Sequence, residues 1–276
     1  MTQLAYLSDR GVIAVAGPDR VDFLQGLVSN DVVLVAPGQA VWAALLSPQG
    51  KWLADFFILG DGERLLLDCE LAQIGMLVPR LSRYRLRAAV TVENVSAEWA
   101  VHAAWGGAPP EEELGEVLVA ADPRLPAAGW RVLAPAPLAA TASALDWDRH
   151  RLALGLPDGS RDLEADKTVL LEAGFDELSG VSWTKGCYMG QELTARTKYR
   201  GLIKRRLVPV IVAGDLPPPG TPVTRDGAEV GALRSGRDGR ALATLRLEAL
   251  GAVLACGGAL LTPDVPGWMH LPQSGG

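Results

Sequence analysis

The strongest constraint on how this chain can fold is a change in the spacing of its apolar residues near Arg206. Upstream, strand-like runs alternate with helical patterns. Val12–Ala16 alternates apolar and small residues and predicts a strand, and Gly17-Pro18-Asp19 predicts a turn into a helix carrying Val21, Leu24 and Val28. Val41–Ser47 and Trp52–Leu59 flank Pro48-Gln49-Gly50-Lys51, the pattern of a β-hairpin. Arg64–Cys69 predicts a further strand, and Leu71, Ile74, Leu77, Val78 and Leu81 fall on one face of a helix running to Leu86. Strands are expected at Val90–Val95, Trp99–Ala104, Val117–Ala120 and Trp130–Leu133, with a solvated acidic patch at Glu111-Glu112-Glu113. The Ala/Pro-rich stretch from Ala134 to Ala144 reads as a connector into a helix ending about Leu154.

Downstream of Arg206 the helical spacing disappears. Leu207–Val212, Val223-Thr224, Val230–Leu233, Ala241–Leu247 and Leu260-Leu261 are short apolar runs. Turn clusters such as Leu216-Pro217-Pro218-Pro219-Gly220, Asp226-Gly227 and Asp238-Gly239 separate them. That pattern predicts a small barrel or sandwich. The expected fold class is α+β, with an α/β body of two subdomains over 1–205 and a small β domain over 206–276.

Composition narrows the function classes. Of 276 residues, 49% are apolar and 21% charged, which is globular rather than disordered. The formal net charge of −6 argues against a dedicated nucleic-acid binder unless the basic residues are concentrated. Cys69, Cys187 and Cys256 lie far apart with no CxxC, and there are only three histidines, His102, His150 and His270. A disulfide scaffold and a self-contained metal centre are both disfavoured. No uninterrupted apolar run predicts a membrane span, and the opening MTQLAYLSDRGV lacks the layout of a signal or transit peptide. The expected location is the cytoplasm.

The basic residues are in fact concentrated. From Lys185 to Arg206 there are seven basic residues and one acid, Glu192, so this segment carries +6 and the remainder of the chain −12. Within it stands Cys187, preceded by Lys185 and Gly186. A helix over Met189–Thr197 would place the thiol at a helix N-terminus beside an ammonium, where the thiolate is favoured. The competing reading is a buried cysteine packed as a small apolar residue, and that reading is preferred for Cys69 and Cys256. The basic run suits an anion such as phosphate, a polyglutamate tail or a nucleic-acid backbone, or else is a solvated face. Tyr188 and Tyr199 among the basic residues suit stacking on a flat heterocycle.

Lys185-Gly186-Cys187-Tyr188-Met189-Gly190-Gln191-Glu192 resembles the signature of the YgfZ family. These are folate-binding proteins of iron–sulfur cluster synthesis and repair, related to the aminomethyltransferase (T protein) of glycine cleavage. Other segments resemble the family too: Arg10–Ile13, Gly17-Pro18-Asp19, Phe23–Leu27, Asn30-Asp31-Val32, Leu46–Lys51 with Asp55, Arg80–Arg87, and Ala241–Ala243 with Leu245-Arg246. The resemblance covers most of the chain outside about 105–150. It implies a folate-binding α/β body followed by a small β-barrel, with tetrahydrofolate or a folate derivative as cofactor. Folate and iron–sulfur assembly or client proteins are the implied partners, without membrane or nucleic acid. Asp166–Gly174 resembles the T-protein segment whose glutamate holds the pterin, which makes Glu172 the candidate. Cys187 is then the candidate for thiol chemistry or transient cluster contact. Lys185, Tyr188, Arg196 and Arg200 are candidates for ligand contact, and Lys198 for an anion or partner.

Two readings compete with an accessory role in cluster assembly. A folate-dependent one-carbon transferase, an aminomethyltransferase or demethylase, would use Asp55. The transferases carry two adjacent acids where this chain has Ala54-Asp55. A hydrolase would pair Cys187 with a histidine, His150 being nearest in sequence, but no local signature supports it. Three scattered cysteines are too few to cage a cluster within one chain, so assistance is expected rather than storage.

Overall fold

A computed structural model describes residues 1–109, 117–201 and 203–271; the acidic patch expected at Glu111–Glu113 lies outside them. The chain forms two compact units: Met1–Gln49 with Leu53–Trp147 and Leu178–Gln191, and Gly50–Trp52 with Asp148–Glu177 and the chain from Glu192 on. Among the described residues no helix is long and apolar enough to cross a membrane.

The first unit holds two antiparallel sheets. One is built from β2 (Arg10–Ala16), β3 (Val41–Leu46), β4 (Trp52–Gly60), β5 (Arg64–Glu70) and β6 (Thr91–Asn94), in the order β3-β4-β5-β2-β6. The hairpin expected about Pro48 is therefore present. The other sheet has the order β1-β7-β9-β8, from β1 (Gln3–Tyr6), β7 (Ala100–Trp105), β8 (Leu118–Ala121) and β9 (Trp130–Ala134). β1 has no counterpart among the sequence expectations, being four residues long and half exposed. Ile13, Val15, Phe56, Ile58, Leu65 and Leu67 form one core with the inner faces of α1 (Arg20–Gln25) and α2 (Ile74–Tyr84). The expected first helix stops early. Gly26 closes α1, and Val28 instead bridges to Leu45. The expected helix over Leu71–Leu86 begins as a 3-10 turn at Leu71–Gln73 and carries Pro79 within α2.

A buried ionic cluster spans both sheets of this unit. Asp68 on β5 accepts from Arg10 Nε at 2.6 Å and lies 3.6 Å from Arg131 of β9, while Asp122 pairs with Arg124 at 2.7 Å. The three guanidinium groups surround the Phe57 ring, 5.9, 4.8 and 4.1 Å from its centroid for Arg10, Arg124 and Arg131. Burial drives the Arg131 guanidinium down to about 10 against the pull of Asp68. Burial alone would raise the Asp122 carboxyl, yet Arg124 and Arg131 hold it below its ordinary value.

The second unit contains a closed barrel of order β10-β13-β12-β11-β14-β15. Its strands are β10 (Arg205–Ala213), β11 (Pro222–Arg225), β12 (Ala228–Arg237), β13 (Arg240–Arg246), β14 (Leu254–Cys256) and β15 (Ala259–Pro263). Val210, Val212, Val223, Leu233, Leu245 and Leu261 fill it. β14 was not anticipated, since three residues next to glycines give no alternation to read. Gly231 is required in β12, because a Cβ there would lie 2.0 Å from the Thr244 carbonyl oxygen. A register shift between Leu233 and Gly236 brings Ser235 to Asp162, to which its N–H donates at 3.1 Å and its hydroxyl at 2.5 Å. Arg151, on α3 (Ala144–Leu154), donates to Asp148, Asp162 and Ser235, all buried.

Asp68→Asn leaves Arg10 buried without its carboxylate and Arg131 with Asp122 alone, and breaking such a buried pair costs about 3–5 kcal/mol. Urea unfolding of the variant should show a loss of that size, and a loss under about 1 kcal/mol would mean the cluster is not what couples the sheets.

Candidate functional site

In the second unit, Glu172 sits on a single 3-10 turn, Leu170–Ala173. Leu170, Leu171 and Ala173 are buried, and Gly174 ends the turn at φ 79°, in the left-handed region. Three of the four turn residues are therefore committed to packing, and Glu172 lines a cavity of about 280 Å3. That is near the lower end of the roughly 300–1,000 Å3 typical of small-molecule clefts. Glu164, Lys167, Arg205, Arg234 and Thr244 also line it. Trp52 supports the same loop, its N–H donating to the Thr168 carbonyl and its carbonyl accepting from the Asp166 N–H, both at 2.9 Å.

The charges in this cavity are unevenly satisfied. Glu164 is paired with both Lys167 and Arg234. The Glu172 carboxylate has no hydrogen bond or ion-pair contact among the described residues. Burial pushes its pKa above the ordinary glutamate value, and the fields of Lys51, Arg205 and Arg206 offset this only in part. A half-buried carboxylate with open acceptor positions is suited to a neutral ligand edge that offers two donors.

In the first unit, Cys187 is exposed and unoxidised, whereas Cys69 and Cys256 are buried. Burial drives the Cys69 thiol up to about 12. The helix expected from Met189 begins later, as α4 (Gln191–Arg200). Met189 donates its N–H to the Gly26 carbonyl at 3.1 Å, and Gly190 has φ 81°, so both residues stand outside the helix. Cys187 therefore stands four residues ahead of the helix, on a loop, rather than at its N-terminus. The ammonium of Lys185 donates to the carbonyls of Val28 and Asn30, each at 2.7 Å. It also lies 5.3 Å from the centroid of the buried Tyr188 ring. Burial lowers this amine to about 8, with Asp31 pulling the other way.

Lys185, Cys187 and Tyr188 thus belong to one loop of the first unit, and Glu172, Arg196 and Arg200 to the second. Arg196 pairs with Glu192 one turn back on α4, and Lys198 pairs with Asp176. Arg200 is exposed at the end of α4; neither it nor Arg196 lines the Glu172 cavity, where Arg205 does. Asp55 is buried in the first unit and accepts from the Trp42 indole N–H at 2.9 Å. Sequence reasoning overlooked Arg205, Arg234 and Lys51 around Glu172, and Ser29 and Asn30 beneath the Cys187 loop. Lys51 and Arg205 were visible as members of the hairpin turn and the basic run; the carbonyl partners of Lys185 left no signal.

Residues 204–271 match the family model described as the CAF17 C-terminal beta-barrel domain. The human iron–sulfur cluster assembly factor IBA57, mitochondrial, is 36% identical over 298 residues, covering 95% of this chain and 84% of that protein. The Mus musculus protein of the same name is 36% identical over 278 residues, covering 88% and 77%. A Mycosarcoma maydis homolog is 37% identical over 241 residues, covering 78% of this chain, which spans only 59% of its length. In fold the chain is similar to the glycine cleavage system aminomethyltransferase T from Bartonella henselae, with TM-score 0.76 and 17% identity, covering 96% of this chain and 85% of that one. The architecture is accordingly α+β with a C-terminal barrel, as expected. The expectation of a cytoplasmic location is corrected, since all three relatives carry mitochondrial names.

The raised pKa of Glu172 yields a stability test with a definite sign. A carboxyl whose folded pKa exceeds its unfolded value binds its proton better in the folded state, so the ionised form opposes folding. That cost is absent well below the unfolded value of about 4.3, grows as pH rises from there to the folded value, and is constant above it. Glu172→Gln should therefore match the wild type in denaturant melts near pH 4 and exceed it near pH 7. A variant less stable than wild type at pH 7 would contradict the assigned environment.

Proposed function

The chain belongs to the family of the iron–sulfur cluster assembly factor IBA57, and on that premise we propose that it is a tetrahydrofolate-binding accessory protein for the synthesis or repair of iron–sulfur clusters. The names of the relatives support the cluster half of this reading. The folate half rests on one observation, the half-buried Glu172 carboxylate without a hydrogen-bond partner at the edge of a cavity. A pterin presents a ring N–H and an amino group side by side, which a carboxylate accepts as a bidentate pair. Placement in the YgfZ branch is supported by Lys185–Glu192.

The residues divide the work. Glu172 accepts from the pterin edge, and Lys51 and Arg205 favour its ionised form when the donors arrive. When bound, a reduced folate supplies an oxidisable ring and one-carbon attachment at nitrogen. Cys187 presents an accessible sulfur to a partner or to a cluster in transit. Among the described residues no group of three or more His, Cys, Asp or Glu is placed to hold a metal ion. A cluster touched by Cys187 would draw its other ligands from a client or assembly protein. Arg200, exposed at the end of α4, is available to such a partner. Asp55 already serves the Trp42 indole, which gives the transferase reading no specific support.

Calorimetric titration with tetrahydrofolate tests the division. Glu172→Gln should weaken binding by about tenfold or more, the scale of charge-assisted hydrogen bonds lost from a buried acceptor. Cys187→Ser should bind as the wild type does. Equal binding by all three proteins would overturn the assignment of Glu172.

A further inference from the structure

We propose that Lys185 is a positioning residue for Cys187: its side chain staples the loop inward while Gly186 turns the chain so that the thiol faces outward. The proposal rests on the reading of Cys187 as the working thiol, and it concerns how that thiol is presented.

The loop is fastened to residues 26–30 along its length. Asn30 Nδ2 donates to the Ser179 carbonyl at 2.6 Å and to the Trp42 carbonyl at 2.8 Å. Ser29 donates its hydroxyl to the Gly180 carbonyl at 2.6 Å, accepts from the Ala44 N–H at 2.9 Å, and takes the Ser182 N–H on its own carbonyl at 3.0 Å. Ser179 adopts φ 56°, in the left-handed region, where its carbonyl meets Asn30. Lys185 secures the middle through Val28 and Asn30, and Met189 the far end through Gly26. Trp183, Thr184, Gly186 and Cys187 are the residues left exposed between these anchors.

Gly186 is the pivot. Its φ of 99° lies where side chains are strained, although a Cβ there would meet no atom within 4 Å. The glycine is thus needed for chain direction rather than for space: the residue before it enters the protein and the residue after it leaves. Two of the three ammonium protons of Lys185 are held by backbone carbonyls, and the amine also lies near the Tyr188 ring. This cation is occupied with the protein's own backbone, so Lys185 acts on function through the placement of Cys187 rather than by touching the ligand.

A nitroxide attached to Cys187 tests this, because Cys69 and Cys256 are buried and leave one accessible thiol. The wild-type spectrum should show restricted motion. Lys185→Met should narrow the lines as loop opening rises by roughly tenfold, the scale of lost charge-assisted hydrogen bonds. Lys185→Arg, which keeps donors for both carbonyls, should restore the restricted spectrum. Tetrahydrofolate affinity should stay within about twofold in Lys185→Met while Glu172→Gln weakens it. A Lys185→Met spectrum that superimposes on wild type, with affinity falling as far as in Glu172→Gln, would overturn the proposal in favour of ligand contact. If Lys185→Met does not fold, Gly186→Ala decides: an altered line shape supports the proposal and an unchanged one overturns it. If no variant and no wild type binds tetrahydrofolate, the folate reading falls while the line shapes still decide the role of Lys185.

Discussion

The hydrogen bonds between residues 26–30 and 179–189 are the constraint on which the placement of the Cys187 loop depends. They join segments about 150 residues apart, and they are made by Ser29, Asn30 and Lys185 to main-chain carbonyls. Closing so long a loop costs conformational entropy that grows only slowly with its length, so a few well-aligned bonds to buried groups can hold it. Without them the segment carrying Cys187 would be a solvated loop. With them, it is part of the same compact unit as the five-stranded sheet.

The second unit meets a different requirement with similar means. The turn at Leu170–Ala173 buries its apolar residues and leaves one carboxylate at a cavity edge. The surrounding acids are already neutralised: Glu164 by Lys167 and Arg234, Asp162 by Arg151, Glu177 by Arg206. Glu172 is left as the cavity acid whose burial opposes its charge. Groups that carry such a cost at a concave site are the ones from which function is reasonably inferred.

The barrel was legible because the short apolar runs of β10, β12 and β13 lie between strong turn signals. The hairpin about Pro48 was legible for the same reason. Short strands escaped: β1 and β14 hold four and three residues, too few for a period of two to show. The start of α4 was misplaced because the main-chain bond from Met189 to Gly26 is non-local and carries no side-chain signature. Glu172 was legible only through family resemblance, since its burial comes from tertiary packing. Lys185 was marked by its neighbourhood to Cys187, but its true partners are carbonyl oxygens that any residue could supply.

On the proposed reading, Glu172 of the second unit serves ligand recognition and the Cys187 loop of the first unit serves thiol presentation. Hydrogen exchange read by mass spectrometry, with and without saturating tetrahydrofolate, tests it most directly. Slowed exchange is expected in peptides covering Lys167–Gly174 and the start of β10, with peptides covering Trp183–Cys187 unchanged. Protection confined to Trp183–Cys187, with Lys167–Gly174 unaffected, would contradict it.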